Sequence, residues 1–144
     1  MIRRLIIHFL GIQPAVAGIV VKNGKVLLTR RSEVLKEGGK WCLPGGGMKK
    51  WEKSVDAVKR EIREEIGLNC KNVDLLFVHE EFVRKLWLHA NVFVFEIKYN
   101  GQKIKTNWEV SEYEWFTKEE ISKMDLAFTH KEILNKYFML RGKR

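Results

Sequence analysis

Apolar and polar positions along the chain change period several times, and each change marks an element. Ala15 to Val21 is an apolar, β-branched run, and Lys25 to Thr29 (K-V-L-L-T) is a second. Asn23-Gly24 between them predicts a hairpin of two strands. Residues 32–40 are polar, carry Gly38-Gly39 and read as a loop. Trp41-Cys42-Leu43 predicts a short strand that Pro44 ends. Gly45-Gly46-Gly47 reads as a glycine loop whose backbone can take unusual angles and approach a ligand. A helical period predicts a helix over 54–66, with Gly67 where a C-terminal cap belongs. Strand-like runs return at 73–83 and 86–99 as antiparallel neighbours, then at 110–116 after an Asn100-Gly101 turn. Thr117 followed by Glu120 is a capping box opening a short helix near 118–123, and a last helix is expected over about 128–140. Strands, a central helix, more strands and terminal helices imply a layered α+β or α/β domain around a mixed sheet.

The central helix carries two distinct stripes. At about 100° per residue, Val55, Val58, Ile62 and Ile66 form one apolar stripe that must face the sheet, while Glu61, Glu64 and Glu65 form a separate acidic arc. Asp56, Lys59, Arg60 and Arg63 take the remaining outer face. Three carboxylates on one face repel one another and raise one another's pKa unless a cation joins them. Mg²⁺ favours such oxygen ligands and brings phosphates into the same coordination sphere. The arc therefore points to a metal site for a phosphorylated substrate, and the glycine run upstream offers backbone groups to metal or phosphate.

Composition narrows the class without changing this picture. The chain has 144 residues, 45% of them hydrophobic, which suits one domain over 1–144 with a single core. Cys42 and Cys70 form no CxxC pair and no disulfide framework, so a reducing, cytoplasmic setting is expected. No apolar run is long enough to span a membrane. Arg3-Arg4, the apolar run to Leu10 and Ala15-Val16-Ala17 superficially resemble a secretory signal, but His8 interrupts the run and cleavage after Ala17 would cut a strand. With 27 Lys+Arg against 18 Asp+Glu, the net charge of +9 suits polyanions, whether nucleotides or nucleic acid.

Residues 46–68 carry a known pattern. Gly46, Glu52, Arg60, Glu61, Ile62, Glu64, Glu65, Gly67 and Leu68 fit every defined position of the Nudix box, G-x5-E-x7-R-E-U-x-E-E-x-G-U with U aliphatic. The chain thus resembles the Nudix hydrolase family. Trp41 to Gly46 and Glu112-Tyr113-Glu114-Trp115-Phe116 extend the likeness over about residues 14–140. The resemblance implies an α/β/α sandwich with a mixed sheet. It implies hydrolysis of a nucleoside diphosphate linked to another group, with Mg²⁺ or Mn²⁺ bridging the pyrophosphate. Glu61, Glu64 and Glu65 become the metal and base candidates, with a Gly46 or Gly45 carbonyl as a further ligand. Arg60 is expected to orient a catalytic glutamate. Glu52 serves a second metal or stays as a helix N-terminal charge.

The helix covers only one side of a metal, and the resemblance implies another carboxylate from a loop before a late strand, beside the Trp115-Phe116 pair: Glu112 first as ligand or base, then Glu109, with Glu114 a third candidate. Phe82, Trp87 and His89 are candidates to stack on or hydrogen-bond a base, while His8 and His130 read as structural or surface histidines. No proline stands near Phe82-Val83-Arg84, as it tends to in ADP-ribose pyrophosphatases of the family. No tyrosine stands near Lys85-Leu86-Trp87, as it tends to in dinucleoside polyphosphate hydrolases. The default reading is therefore a MutT-like enzyme acting on a nucleoside triphosphate. ADP-ribose or another nucleotide sugar is an alternative substrate, and an RNA 5′ end or bound RNA is a less favoured one. A homodimer is compatible with all three.

Overall fold

The computed structural model describes residues 11–143. The Arg3–Leu10 run and His8 lie outside the described residues. The elements are β1 (Gln13–Lys22), β2 (Lys25–Arg31), β3 (Trp41–Cys42), β4 (Gly45–Gly47), α1 (Ser54–Ile66), β5 (Val73–Val83), a 3₁₀ turn (Arg84–Leu86), β6 (Leu88–Lys98), β7 (Val110–Phe116), α2 (Lys118–Ser122) and α3 (His130–Arg141). The hairpin turn has positive φ at both Asn23 (49°) and Gly24 (74°), as a tight primed turn needs.

One mixed sheet runs in the order β3-β2-β1-β6-β5, with β4 also on β1 and β7 also on β2. β1 and β6 are parallel, paired from Gln13↔Ala90 to Val21↔Lys98. Every other pairing is antiparallel. Strand alternation sends Val16, Val20, Leu27, Phe95 and Ile97 to one face, where α1 packs Ala57, Val58, Ile62 and Ile66 on them. It sends Ala17, Ile19, Leu28, Ala90, Val92 and Val94 to the other, where α2 and α3 contribute Ile121, Ile133, Leu134 and Tyr137. Helices on both faces of one sheet make the expected α/β/α sandwich.

Both predicted caps are present. Gly67 sits at φ 72° and donates to the Arg63 carbonyl. Thr117 and Glu120 close a reciprocal box, at 2.9 Å from Thr117 N–H to Glu120 Oε2 and 3.2 Å from Glu120 N–H to Thr117 Oγ1. Two expectations need correction. The triple glycine is a short strand rather than a loop, pairing with Ala15–Ala17. Glycine is needed there because a Cβ on Gly45 would stand 2.1 Å from the Val16 carbonyl oxygen. The last helix starts at His130, because Phe128 holds φ at 53°, outside the helical region. No helix among the described residues is long and apolar enough to cross a membrane.

Candidate active site

Pairing β4 to β1 presses the glycine strand against one side of α1. A Cβ on Gly46 would lie 2.8 Å from the Glu61 carboxyl carbon, so helix and glycine strand are in direct contact. Gly45 N–H donates to Glu65 Oε2 at 3.2 Å. Glu61 and Glu65 are consequently only 9% and 6% exposed, whereas the Glu64 side chain is 44% exposed. The acidic arc is thus split: two carboxylates are buried beneath the glycine strand and one stands at the rim.

Arg60 lies inward, against the expectation of an outer-face residue. Its Nε and Nη2 donate to Glu52 Oε2 and Oε1 at 2.7 and 2.9 Å. Nη2 also reaches the Gly47 carbonyl at 3.0 Å, while Nη1 reaches Glu61 Oε1 at 2.8 Å and Glu64 Oε2 at 3.3 Å. The planar guanidinium, with five donors in a fixed fork, suits this hub as a lysine would not. It also explains Glu52. The Arg60 bonds, with Lys49 N–H at 3.0 Å, pull that carboxyl down to about 2, so it stays ionised as the hub's anchor.

Glu61 and Glu65 behave in the opposite way. Burial raises Glu61, with Arg60 partly offsetting it. Burial raises Glu65 well above the carboxylate range, and the Glu61 charge adds to it. Glu109 contributes to the same crowding. Its loop is tied to the end of α1, where Asn107 N–H donates to the Glu65 carbonyl at 3.2 Å and Asn107 Oδ1 accepts from Glu109 N–H at 3.0 Å.

Among the described residues no three His, Cys, Asp or Glu side chains form a ready-made metal cage, and Arg60 instead faces Glu61 and Glu64. The donor chemistry nevertheless fits a hard divalent cation. Two buried carboxylates that repel each other, with a third at the rim and Glu109 beside them, gain from positive charge in a way a solvated acidic face would not.

These groups line one end of a cleft of about 750 Å³. The cleft also takes in Arg31, Glu81, Trp87, Glu109, Phe128 and His130. Of the sequence candidates, Gly46, Glu61, Glu64, Glu65 and Trp87 line it. Glu112 does not; it lies on β7 opposite Arg30 and forms an exposed ion pair with it at 3.1 Å. The loop before the strand brings a carboxylate to the helix as expected, but it is the second candidate, Glu109, because Glu112 already lies within the strand. Phe82 and His89 are also elsewhere. They are paired across β5 and β6 with ring centroids 4.6 Å apart, on the face opposite the one Glu81 and Ala90 occupy, and Phe82 is 56% exposed. Sequence reasoning missed Glu81 and gave His130 no place in a cleft. One signal was available: Phe77, His79, Glu81 and Val83 alternate on one face, so two polar residues occupy inward positions of a strand.

A family model described as the NUDIX domain matches residues 12–137. The chain belongs to the Nudix family. An ADP-ribose pyrophosphatase of Methanocaldococcus jannaschii is 36% identical to this Nudix chain over 130 residues, covering 89% of this chain and 75% of that one. An 8-oxo-dGDP phosphatase of Danio rerio is 34% identical over 98 residues, which is 67% of this chain but 29% of that protein's length. The chain therefore spans less than a third of this second relative. The crystal structure of the MutT protein from Methanosarcina mazei Go1 aligns with a TM-score of 0.80 at 27% identity, covering 92% of this chain and 96% of that one.

Proposed function

We propose that the protein is a divalent-metal-dependent pyrophosphohydrolase that cleaves a nucleoside diphosphate linked to another group. The observation that carries this reading is the buried Glu61–Glu65 pair beneath the glycine strand, at one end of a cleft large enough for a nucleotide. Glu61, Glu65 and the Gly46 carbonyl would hold Mg²⁺ or Mn²⁺, with Glu109 supplying a carboxylate from outside the helix. A bound cation there neutralises charge on phosphate oxygens and lowers the pKa of water. The chain's own residues do the rest. Arg60 fixes Glu52, Glu61 and Glu64 relative to one another and to the Gly47 carbonyl. Glu64, exposed on the cleft, takes the proton of the attacking water. That water adds to one phosphorus of the anhydride, and the bridging P–O bond breaks.

Two leaving groups are in view. The absence of a proline near Phe82-Val83-Arg84 and of a tyrosine near Lys85-Leu86-Trp87 favours a nucleoside triphosphate losing pyrophosphate. The likeness to an ADP-ribose pyrophosphatase favours a nucleotide sugar losing a sugar phosphate. Turnover of the four nucleoside triphosphates and of ADP-ribose with Mg²⁺, with products identified by phosphorus NMR, separates them. No metal-dependent turnover of any nucleoside diphosphate derivative would overturn the proposal. RNA as substrate has the +9 charge in its favour. It predicts an affinity that falls steeply with salt.

A further inference from the structure

At the far end of the same cleft stands a carboxylate that the hydrolytic reading does not use. Glu81 is 4% exposed and lines the cleft beside Leu88 and Ala90. Its orientation is fixed by a relay. Thr129 N–H and Thr129 Oγ1 both donate to Glu81 Oε2, at 3.1 and 2.6 Å. The Thr129 hydroxyl has one proton, which goes to the carboxylate, so at 2.8 Å it accepts from His79 Nε2–H. Both bonds to the carboxylate end on Oε2. Among the described residues no buried side-chain nitrogen or oxygen lacks a partner. Oε1 takes neither of the Thr129 bonds, and Glu81 lines the cleft, which leaves Oε1 as the oxygen open to a ligand.

Glu81 is too far from the phosphate end to serve the hydrolysis. Gly47, Ala15, Val92 and His79 sit in one row across β4-β1-β6-β5, and Glu81 is two residues further along β5. Three strand spacings and two residues of rise place it roughly 15 Å from the glycine strand, comparable to the length of an extended nucleoside diphosphate. The lining around it sets Phe128, Trp87, Leu88 and Ala90 beside the polar Gln13, Arg31 and His130. Phe128 lines the cleft at φ 53°, with the Arg31 guanidinium 4.7 Å from its ring centre. Trp87, at φ 54°, is the other aromatic there. Aromatic rings beside a fixed acceptor suit a planar heterocycle.

We propose that Glu81 is the specificity-determining residue for the base, and that Oε1 accepts a hydrogen bond from an exocyclic amino group, selecting adenine or cytosine. The proposal rests on the nucleotide reading above and deepens it. Oε1 turns lone pairs to the cleft, so it repels the keto oxygens that uracil and hypoxanthine present where cytosine and adenine carry their amino groups. Guanine pairs best with a carboxylate through N1–H and its amino group on both oxygens; with Oε2 held by Thr129 it keeps at most one of the two bonds.

The test titrates wild type and Glu81→Gln with AMP, IMP, CMP and UMP in EDTA, so that neither metal nor turnover enters the readout. Wild type should bind AMP over IMP, or CMP over UMP, by about tenfold or more, as expected when a site built for an N–H donor meets its isostere. The two pairs distinguish a purine from a pyrimidine slot. In Glu81→Gln the Thr129 donors retain the amide oxygen and turn the amide NH₂ to the cleft, so the preference should vanish or reverse. A role confined to stapling α3 to the sheet would move Tm and leave this ratio unchanged. Equal wild-type affinities, no binding of any of the four, or an unchanged preference in the variant overturns the proposal. The wild-type arm decides by itself if the variant does not fold. An amino preference without Mg²⁺-dependent turnover refutes the hydrolase reading alone, and turnover without the preference refutes only the role of Glu81.

Discussion

Three adjacent glycines offer a direct test, because the same added methyl group meets a backbone carbonyl at one, a carboxylate at the next and open space at the third. At Gly46 the new Cβ would stand 2.8 Å from the Glu61 carboxyl carbon and Oε1. An ordinary non-bonded separation is about 3.5 Å, so the carboxylate must retreat by about 0.7 Å. Glu61 is almost fully buried and hydrogen-bonded to Arg60 at 2.8 Å, so it cannot swing freely, and the retreat stretches that bond. Misplacement of about 1 Å costs about a hundredfold in rate, so Gly46→Ala should lower kcat/KM by between ten- and a hundredfold. Its stability should change by no more than about 1–2 kcal/mol, since the loss of unfolded-chain entropy offsets part of the strain. At Gly45 the Cβ would stand 2.1 Å from the Val16 carbonyl oxygen, which lies in the pairing of β4 with β1. Gly45→Ala should therefore act on the fold and depress Tm sharply. At Gly47 nothing lies within 4 Å, so Gly47→Ala should match wild type in both respects. The assay is Mg²⁺-dependent nucleotide hydrolysis beside thermal unfolding of the three variants. A folded Gly46→Ala within about threefold of wild-type rate, or a Gly47→Ala as damaged as it, would refute the placement of Glu61 at the reacting centre.

Glu65→Gln should lose about a hundredfold or more in turnover, as expected for a metal ligand. The metal-free variant should be more heat-stable than metal-free wild type, because the buried repulsion with Glu61 is gone; a lower Tm would contradict this. Glu109→Gln should weaken turnover and its Mg²⁺ dependence. Glu112→Gln should break only the exposed pair with Arg30, cost under about 1 kcal/mol and leave turnover within twofold. The acid limb of stability should report His130. Burial lowers it from 6.5 to about 4, and its Nδ1 accepts Leu43 N–H at 3.0 Å in the neutral form. Its folded pKa lies below its unfolded one, so the unfolded chain binds the proton first. Stability is then intact above about 6.5 and falls as pH drops towards about 4, by roughly 3 kcal/mol from this group. Urea unfolding of wild type and His130→Gln between pH 7 and 4 measures the difference, and parallel pH slopes would reject the assignment.

Local chemistry was legible wherever it depends on sequence neighbours. The Asn23-Gly24 hairpin, the Gly67 cap and the Thr117–Glu120 box each follow from residues at most a few positions apart, and each forms as read. The two-stripe character of α1 was equally plain, since helical period alone sets its apolar face against the sheet. Other features needed the third dimension. Helical period cannot tell that Glu61 and Glu65 are buried while Glu64 is not; the crossing of the Gly45–Gly47 strand decides that. Arg60 looked outward on the wheel, yet Glu52 and the Gly47 carbonyl draw it in, because a long side chain follows its charge partners rather than its Cβ direction. Glu109 and Glu112 are indistinguishable by type and three residues apart; only the Asn107 turn against the end of α1 selects the first. Glu81 is fixed by Thr129, 48 positions away in the chain, across a contact that only the docking of α3 on the sheet creates. Propensity and period act over a few residues, whereas burial and charge pairing are settled by whichever distant segment arrives on the other side.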